Sequence, residues 1–212
     1  MRADAHVSVA TADVRGHRLA RDAVLRLEAG RAFVVATGLG LPRTWGWTTR
    51  AALDGFAEGL ASTGSAAERL DRAVAAARAR LGRAVDALIE RQLPDVAIVA
   101  VLLDSGALHA VACGAGRVYV FRRGQPPVRL TPREPEPTGL LRAQPARSSY
   151  VLEPDDLVLV GSPSAFSADA VTRLSQVLGA DSAAPPAILA SLLTDPAEQA
   201  GSGAASIALR VR

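Results

Sequence analysis

The sequence predicts an α+β fold in which two antiparallel sheets pack face to face with helices on the outside. Three observations carry this. Apolar, β-branched runs end at Gly or turn residues (31–36, 96–103, 107–113); one long segment from Ser65 has apolar residues at helical spacing; and hairpin signals separate the strands while helical segments sit between the hairpins. At 212 residues and 49% hydrophobic the chain can bury a substantial core, and 1–212 is expected to form a single domain.

Taken in order, residues 31–36 read as a buried strand closing at Gly38. Ser65-Ala66-Ala67-Glu68 is a capping-box pattern. It opens a helix with Leu70, Val74, Ala77, Leu81, Val85 and Leu88 on one face, expected to run until Pro94. Residues 96–103 and 107–113 flank Asp104-Ser105-Gly106 and predict a hairpin. A strand over 117–122 turns at Arg123-Gly124, and the Pro-rich stretch from Gln125 to Pro145 is expected to be a surface excursion with little regular structure. A strand over 156–160 precedes a helix that Ser167 caps, with Val171, Leu174 and Leu178 facing inward. Pro185-Pro186 opens another helix, and 206–211 ends the chain as a strand. No internal repeat is visible.

Composition narrows the function classes. The single cysteine, Cys113, excludes an intramolecular disulfide framework and points to a reducing, cytoplasmic setting. Neither a signal-peptide core nor a membrane-length apolar run is seen, so no membrane association is expected. All 24 basic side chains are Arg, and net charge is only +3. Arg78, Arg80 and Arg83 alternate with apolar positions beside Asp71, Asp86 and Glu90, the pattern of a solvated helix face. With aromatics at 4%, stacking platforms for nucleic acid are lacking, and no nucleic-acid partner is expected.

Several segments resemble those of one family. Phe33-Val34-Val35-Ala36-Thr37-Gly38-Leu39-Gly40 resembles the Val-Ala-Asp-Gly-Met-Gly strand end of the PPM (PP2C-type) protein serine/threonine phosphatases, with Thr37 in place of the Asp. Asp13-Val14, Arg18 and Asp22 are similar to that family's Asp-Val-Gly-x-x-Arg-x-x-Asn-Glu-Asp opening. Without a gap Asp22 falls on the Glu and Ala23 on the Asp; a one-residue shift puts Asp22 on the Asp and His17 on the Arg. Gly114-Ala115-Gly116-Arg117-Val118-Tyr119 resembles Gly-Asp-Ser-Arg-x-Tyr with Ala115 at the Asp. Leu152-Glu153-Pro154-Asp155-Asp156 through Ser162-Pro163-Ser164 is similar to Leu-x-Pro-Gly-Asp through Ser-Asp-Gly, with Pro163 at the Asp; Ala205-Ser206-Ile207 stands for Asp-Asn-Ile. The resemblance implies an α-β-β-α sandwich. It also implies that Thr37, Ala115, Pro163 and Ala205 occupy degenerate metal-ligand positions, together with Gly38, whose carbonyl the family uses as a ligand.

A binuclear Mg or Mn site needs hard anionic oxygens to offset cation desolvation, activate a water and clamp phosphate. Thr37 keeps an oxygen without charge, and Ala115, Pro163 and Ala205 offer no side-chain ligand. The resulting expectation is a pseudophosphatase with no catalytic residue and no metal cofactor. It would act as a binding or regulatory module toward a protein kinase or phosphoprotein in serine/threonine phosphorylation signalling. Arg18 is the candidate phosphate-binding side chain, since a guanidinium can grip phosphate without metal, and Asp22 is the candidate residual acid. Two other readings stand beside it: an active Mg- or Mn-dependent phosphatase drawing on Asp13, Asp22, Asp95, Asp155 or Asp156, or a structural or oligomerising component. His6, His17 and His109 have no metal-ligand spacing, Ser162 and Ser164 lack a nucleophile elbow, and Cys113 reads as inert core. Trp45 and Trp47 read as packing beneath the former site or as an interface anchor.

Overall fold

Strand β1 (Val7–Val14) is where the described part of the computed structural model begins; the residues described are 7–14, 21–27, 31–86, 88, 93–133 and 138–212. It is followed by β2 (Asp22–Leu27), β3 (Ala32–Leu39), α1 (Trp45–Leu60), α2 (Ala66–Val85), β4 (Asp95–Asp104), β5 (Ala107–Cys113) and β6 (Arg117–Phe121). The remainder comprises β7 (Val128–Arg129), β8 (Ala146–Val151), β9 (Leu157–Gly161), α3 (Ala168–Ala180), α4 (Pro186–Gln199) and β10 (Ala204–Val211). One sheet has the order β1-β10-β9-β6-β7 and the other β2-β3-β4-β5-β8, with antiparallel pairing throughout.

The central strands are continuously apolar because both of their faces are buried, and the two-residue period of a strand splits their side chains between two cores. Phe33 and Val35 of β3, with Val99 and Val101 of β4, meet Val118, Val158, Val160, Ile207 and Leu209 of the facing sheet. The alternate residues Val34, Ile98, Ala100 and Leu102 pack outward under Phe56, Leu60, Leu70, Val74 and Leu81 of α1 and α2. On the other side Leu157, Leu159 and Ala208 pack under Leu174, Leu189 and Leu193 of α3 and α4. The layers are helices, sheet, sheet, helices, as the sequence predicts. No helix among the described residues is long and apolar enough to cross a membrane.

Local chemistry explains the boundaries. The Ser65 hydroxyl accepts from the Glu68 N–H while the Glu68 carboxylate accepts from the Ser65 N–H at 2.9 Å, completing the capping box. The β4–β5 hairpin closes through Ser105 and Gly106, both at positive φ (50° and 78°), the geometry that matches strand twist. The Ser167 hydroxyl caps α3 by accepting from the Ala170 N–H.

Several expectations need correction. The long helix stops at Val85, and Leu88 packs against the core from beyond it. Val171 is 41% exposed, because only Ala170 and Leu174 of α3 are buried in the α4 interface. Arg78 is not on a solvated face: its guanidinium donates to the carbonyls of Leu140 and Ala143, while Arg80 pairs with Asp54 and Glu58 of α1. The Pro-rich stretch is more than a surface excursion. It contributes β7, and its later part buries Leu140 and Ala143 against α2, held by Arg78 on one side and Asp95 on the other.

Candidate functional site

Asp22, Thr37 and Ala205 come together with Ser162 where β2 and β10 begin and β3 and β9 end. In the β2–β3 ladder Asp22 stands directly opposite Thr37. The Thr37 hydroxyl donates to Asp22 Oδ1 at 2.6 Å. Asp22 is only 2% exposed, and its Oδ2 is buried without a hydrogen-bond partner. The Ser162 hydroxyl approaches it without completing a hydrogen bond. Burial pushes the Asp22 carboxyl above its ordinary value, against the lowering effects of the Thr37 hydroxyl and the Arg21 charge.

Ser162, fully buried at the end of β9, ties this end of the sheet together. Its N–H donates to the Ala205 carbonyl at 2.9 Å and its oxygen accepts from the Ala205 N–H at 3.1 Å. Ala205 itself faces the core between the sheets with no exposure, and Asp13, its neighbour in the β1–β10 ladder, is exposed. Pro163 follows Ser162 at the head of a 3-10 turn (Pro163–Phe166). Ala115 sits in the β5–β6 turn, where Gly114 adopts φ 96° and Gly116 lies against Val99; among the described residues nothing ties it into the Asp22–Thr37 cluster. Arg18 and His17 lie outside the described residues.

Gly38 has a different neighbour from the one its resemblance implies. The Arg21 guanidinium Nε lies 3.4 Å from the Gly38 carbonyl oxygen and donates to it, and the Gly38 N–H returns a bond to the Arg21 carbonyl at 2.7 Å. The same guanidinium stands 5.3 Å from the centre of the Trp45 ring. Trp45 packs directly over Gly38: a Cβ there would stand 2.6 Å from the indole Cδ1, so only glycine fits. Of the two tryptophans, Trp45 therefore takes the packing role, while Trp47 is 38% exposed. Sequence reasoning missed Arg21, Trp45 as its platform, and the buried bridging role of Ser162. The one available signal was a glycine retained beside a substituted acid, seven residues before a tryptophan.

The described residues at this end of the sandwich do not fit a binuclear Mg or Mn centre. One buried carboxylate, one threonine hydroxyl and an alanine methyl supply too little negative charge, and the Gly38 carbonyl already accepts from a guanidinium. Among the described residues no three His, Cys, Asp or Glu side chains gather as a metal cluster. Two of the other candidate acids, Asp95 and Asp156, are engaged elsewhere, while Asp13 and Asp155 are exposed. Asp95 accepts from the N–H groups of Val96, Gly139 and Leu141, although burial still raises its carboxyl above the ordinary value. Asp156, 1% exposed, takes both Nε (2.9 Å) and Nη2 (2.8 Å) of Arg122 and the Glu153 N–H. Cys113 is buried, and its thiol is pushed up to about 11 by desolvation.

No family model and no curated protein matches the sequence. Solved structures do. PstP/Ppp, the serine/threonine phosphatase of Mycobacterium tuberculosis, superimposes with a TM-score of 0.80 at 17% identity over 97% of this chain and 99% of that one. The PPM Ser-Thr phosphatase MsPP of Mycobacterium smegmatis gives 0.74 at 20% identity, over 96% and 97%. PppA of Pseudomonas aeruginosa, a regulatory component of T6SS, gives 0.79 at 17% over 98% of both chains. This chain has the PP2C-type phosphatase fold. A structure of the PstP catalytic domain holds two manganese ions, and it is against that kind of site that the Asp22–Thr37–Arg21 arrangement of this PP2C-like chain stands out.

Proposed function

We propose that this chain is a catalytically inactive PP2C-like pseudophosphatase, one domain over 1–212, that acts in the cytoplasm as a binding or regulatory module in serine/threonine phosphorylation signalling. The observation that carries the proposal is the Arg21 guanidinium on the Gly38 carbonyl. A side-chain cation donates to the carbonyl that the family resemblance implies as a metal ligand, beside a lone carboxylate already bonded to Thr37. A guanidinium cannot ionise a bound water into a nucleophile as a pair of divalent ions does. A fold can keep a recognition surface after its chemistry is lost, because function resides in the site and not in the scaffold. A protein kinase or a phosphoprotein is the partner class this reading implies.

The deciding experiment is a calorimetric titration of the chelator-treated protein with Mn and Mg, with hydrolysis of an aryl phosphate followed in the same buffer. Neither binding heat nor turnover is expected. Turnover that a chelator abolishes would overturn the proposal and make the chain an active phosphatase with other ligands.

A further inference from the structure

At the end of the β1-β10-β9-β6-β7 sheet opposite the Asp22 cluster, a cavity of about 380 Å³ opens between the β6–β7 turn, the start of β9, the α3–α4 connection and the end of β10. That volume lies in the range of small-molecule sites. Its apolar wall is Phe121, Leu157 and Leu178. Its charged lining is of two kinds. Arg122 is already neutralised, bonded to Asp156 and to Glu153 at 2.7 Å. Arg123 and Arg210 are not. Arg123 is exposed and makes no ion pair among the described residues. Arg210 donates only to backbone carbonyls, of Asp155 at 3.3 Å and Ala184 at 3.1 Å, and its Nε is buried with no partner. The acid in the lining is Asp155, exposed and held at φ 69°, where glycine would be at ease and an ordinary side chain is strained.

We infer that this cavity binds a small zwitterion with an apolar body, of the chemical class of leucine or phenylalanine. Its carboxylate lies on Arg123 and Arg210, its ammonium on Asp155, and its side chain against Phe121, Leu157 and Leu178. Guanidinium groups without a carboxylate partner retain the charge needed to hold a ligand carboxylate. An isolated acid on the same rim discriminates in favour of a molecule that also carries a cation. The site does not depend on whether the Asp22 cluster is catalytic.

The test is calorimetric titration of the full chain with L-leucine and L-phenylalanine, against 4-methylpentanoate, which lacks the ammonium, and isopentylamine, which lacks the carboxylate. The amino acids should bind, and each truncated probe should bind about tenfold more weakly or worse. Asp155→Gly relieves the positive-φ strain, so it should raise Tm while reducing L-leucine to the affinity of 4-methylpentanoate. Arg123→Gln, at an exposed position, should weaken both amino acids and leave isopentylamine unchanged. No binding of either amino acid up to about 10 mM, or unaltered L-leucine binding by Asp155→Gly, would overturn the inference.

Discussion

Asp22→Asn should stabilise the protein at neutral pH, the reverse of what is usual when a buried hydrogen-bonded acid is changed. The wild-type carboxylate keeps one bond, from Thr37 at 2.6 Å, and leaves Oδ2 buried without a partner. An unmade hydrogen bond on a buried polar atom costs about 1–3 kcal/mol. The asparagine carbonyl can still accept from Thr37, and its amide carries no charge to desolvate. A gain of about 1–2 kcal/mol follows, or roughly 3–6 °C in Tm for a chain of this size. The pH dependence gives the sign independently. The folded Asp22 carboxyl titrates above its ordinary 3.8, so between those two values the folded state holds a proton that the unfolded state has lost. Wild-type stability therefore falls as pH rises through that window and stays at the lower level above it. Asp22→Asn removes this contribution. Asp95 adds a slope of the same sign to both proteins and cancels in the difference. Urea denaturation of both proteins from pH 3.5 to 8 measures it. A variant less stable than wild type at pH 7.5, or a stability difference that does not change with pH, would refute the reasoning.

Gly38→Ala should cost about 1–3 kcal/mol by driving a methyl into Trp45, and the penalty should shrink in the Gly38→Ala, Trp45→Ala double variant, as a double-mutant cycle in urea will show. Trp45→Ala alone should cost about 2–3 kcal/mol through lost packing, whereas Trp47→Ala, at an exposed position, should change unfolding free energy by no more than about 0.5 kcal/mol. Ser65→Ala should lose about 1 kcal/mol by opening the capping box at α2, read from the urea midpoint at constant m-value.

What could be read from sequence was local or patterned. The Ser65–Glu68 box, the Ser105-Gly106 turn and the Ser167 cap each depend on residues within a few positions of one another, and all form as expected. The doubly buried strands announced themselves as unbroken apolar runs. Strands β1, β2 and β8 did not, because Thr, Ala, Asp and Arg interrupt them at edges that face partly to solvent. Helix α1 was hidden behind Gly46, Thr48 and Thr49; both threonines are buried and return their hydroxyls to carbonyls one turn back, which satisfies those hydroxyls inside the core. At the candidate site the substituted positions were legible from the resemblance. The identity of what fills the space was not. Arg21 reaches Gly38 across 17 residues, and Arg122 reaches Asp156 across 34, distances over which no spacing rule operates.

The Arg21–Gly38 contact has a consequence for supply and exchange. A metal ion is a loan from the cell, with an occupancy set by its free concentration and an off-rate of its own. The guanidinium on the Gly38 carbonyl is part of the chain: it arrives with translation, stays at unit occupancy at every ionic composition, and cannot be chelated or exchanged for another ion. The positive charge at this end of the sandwich is therefore present at one concentration for the life of the molecule.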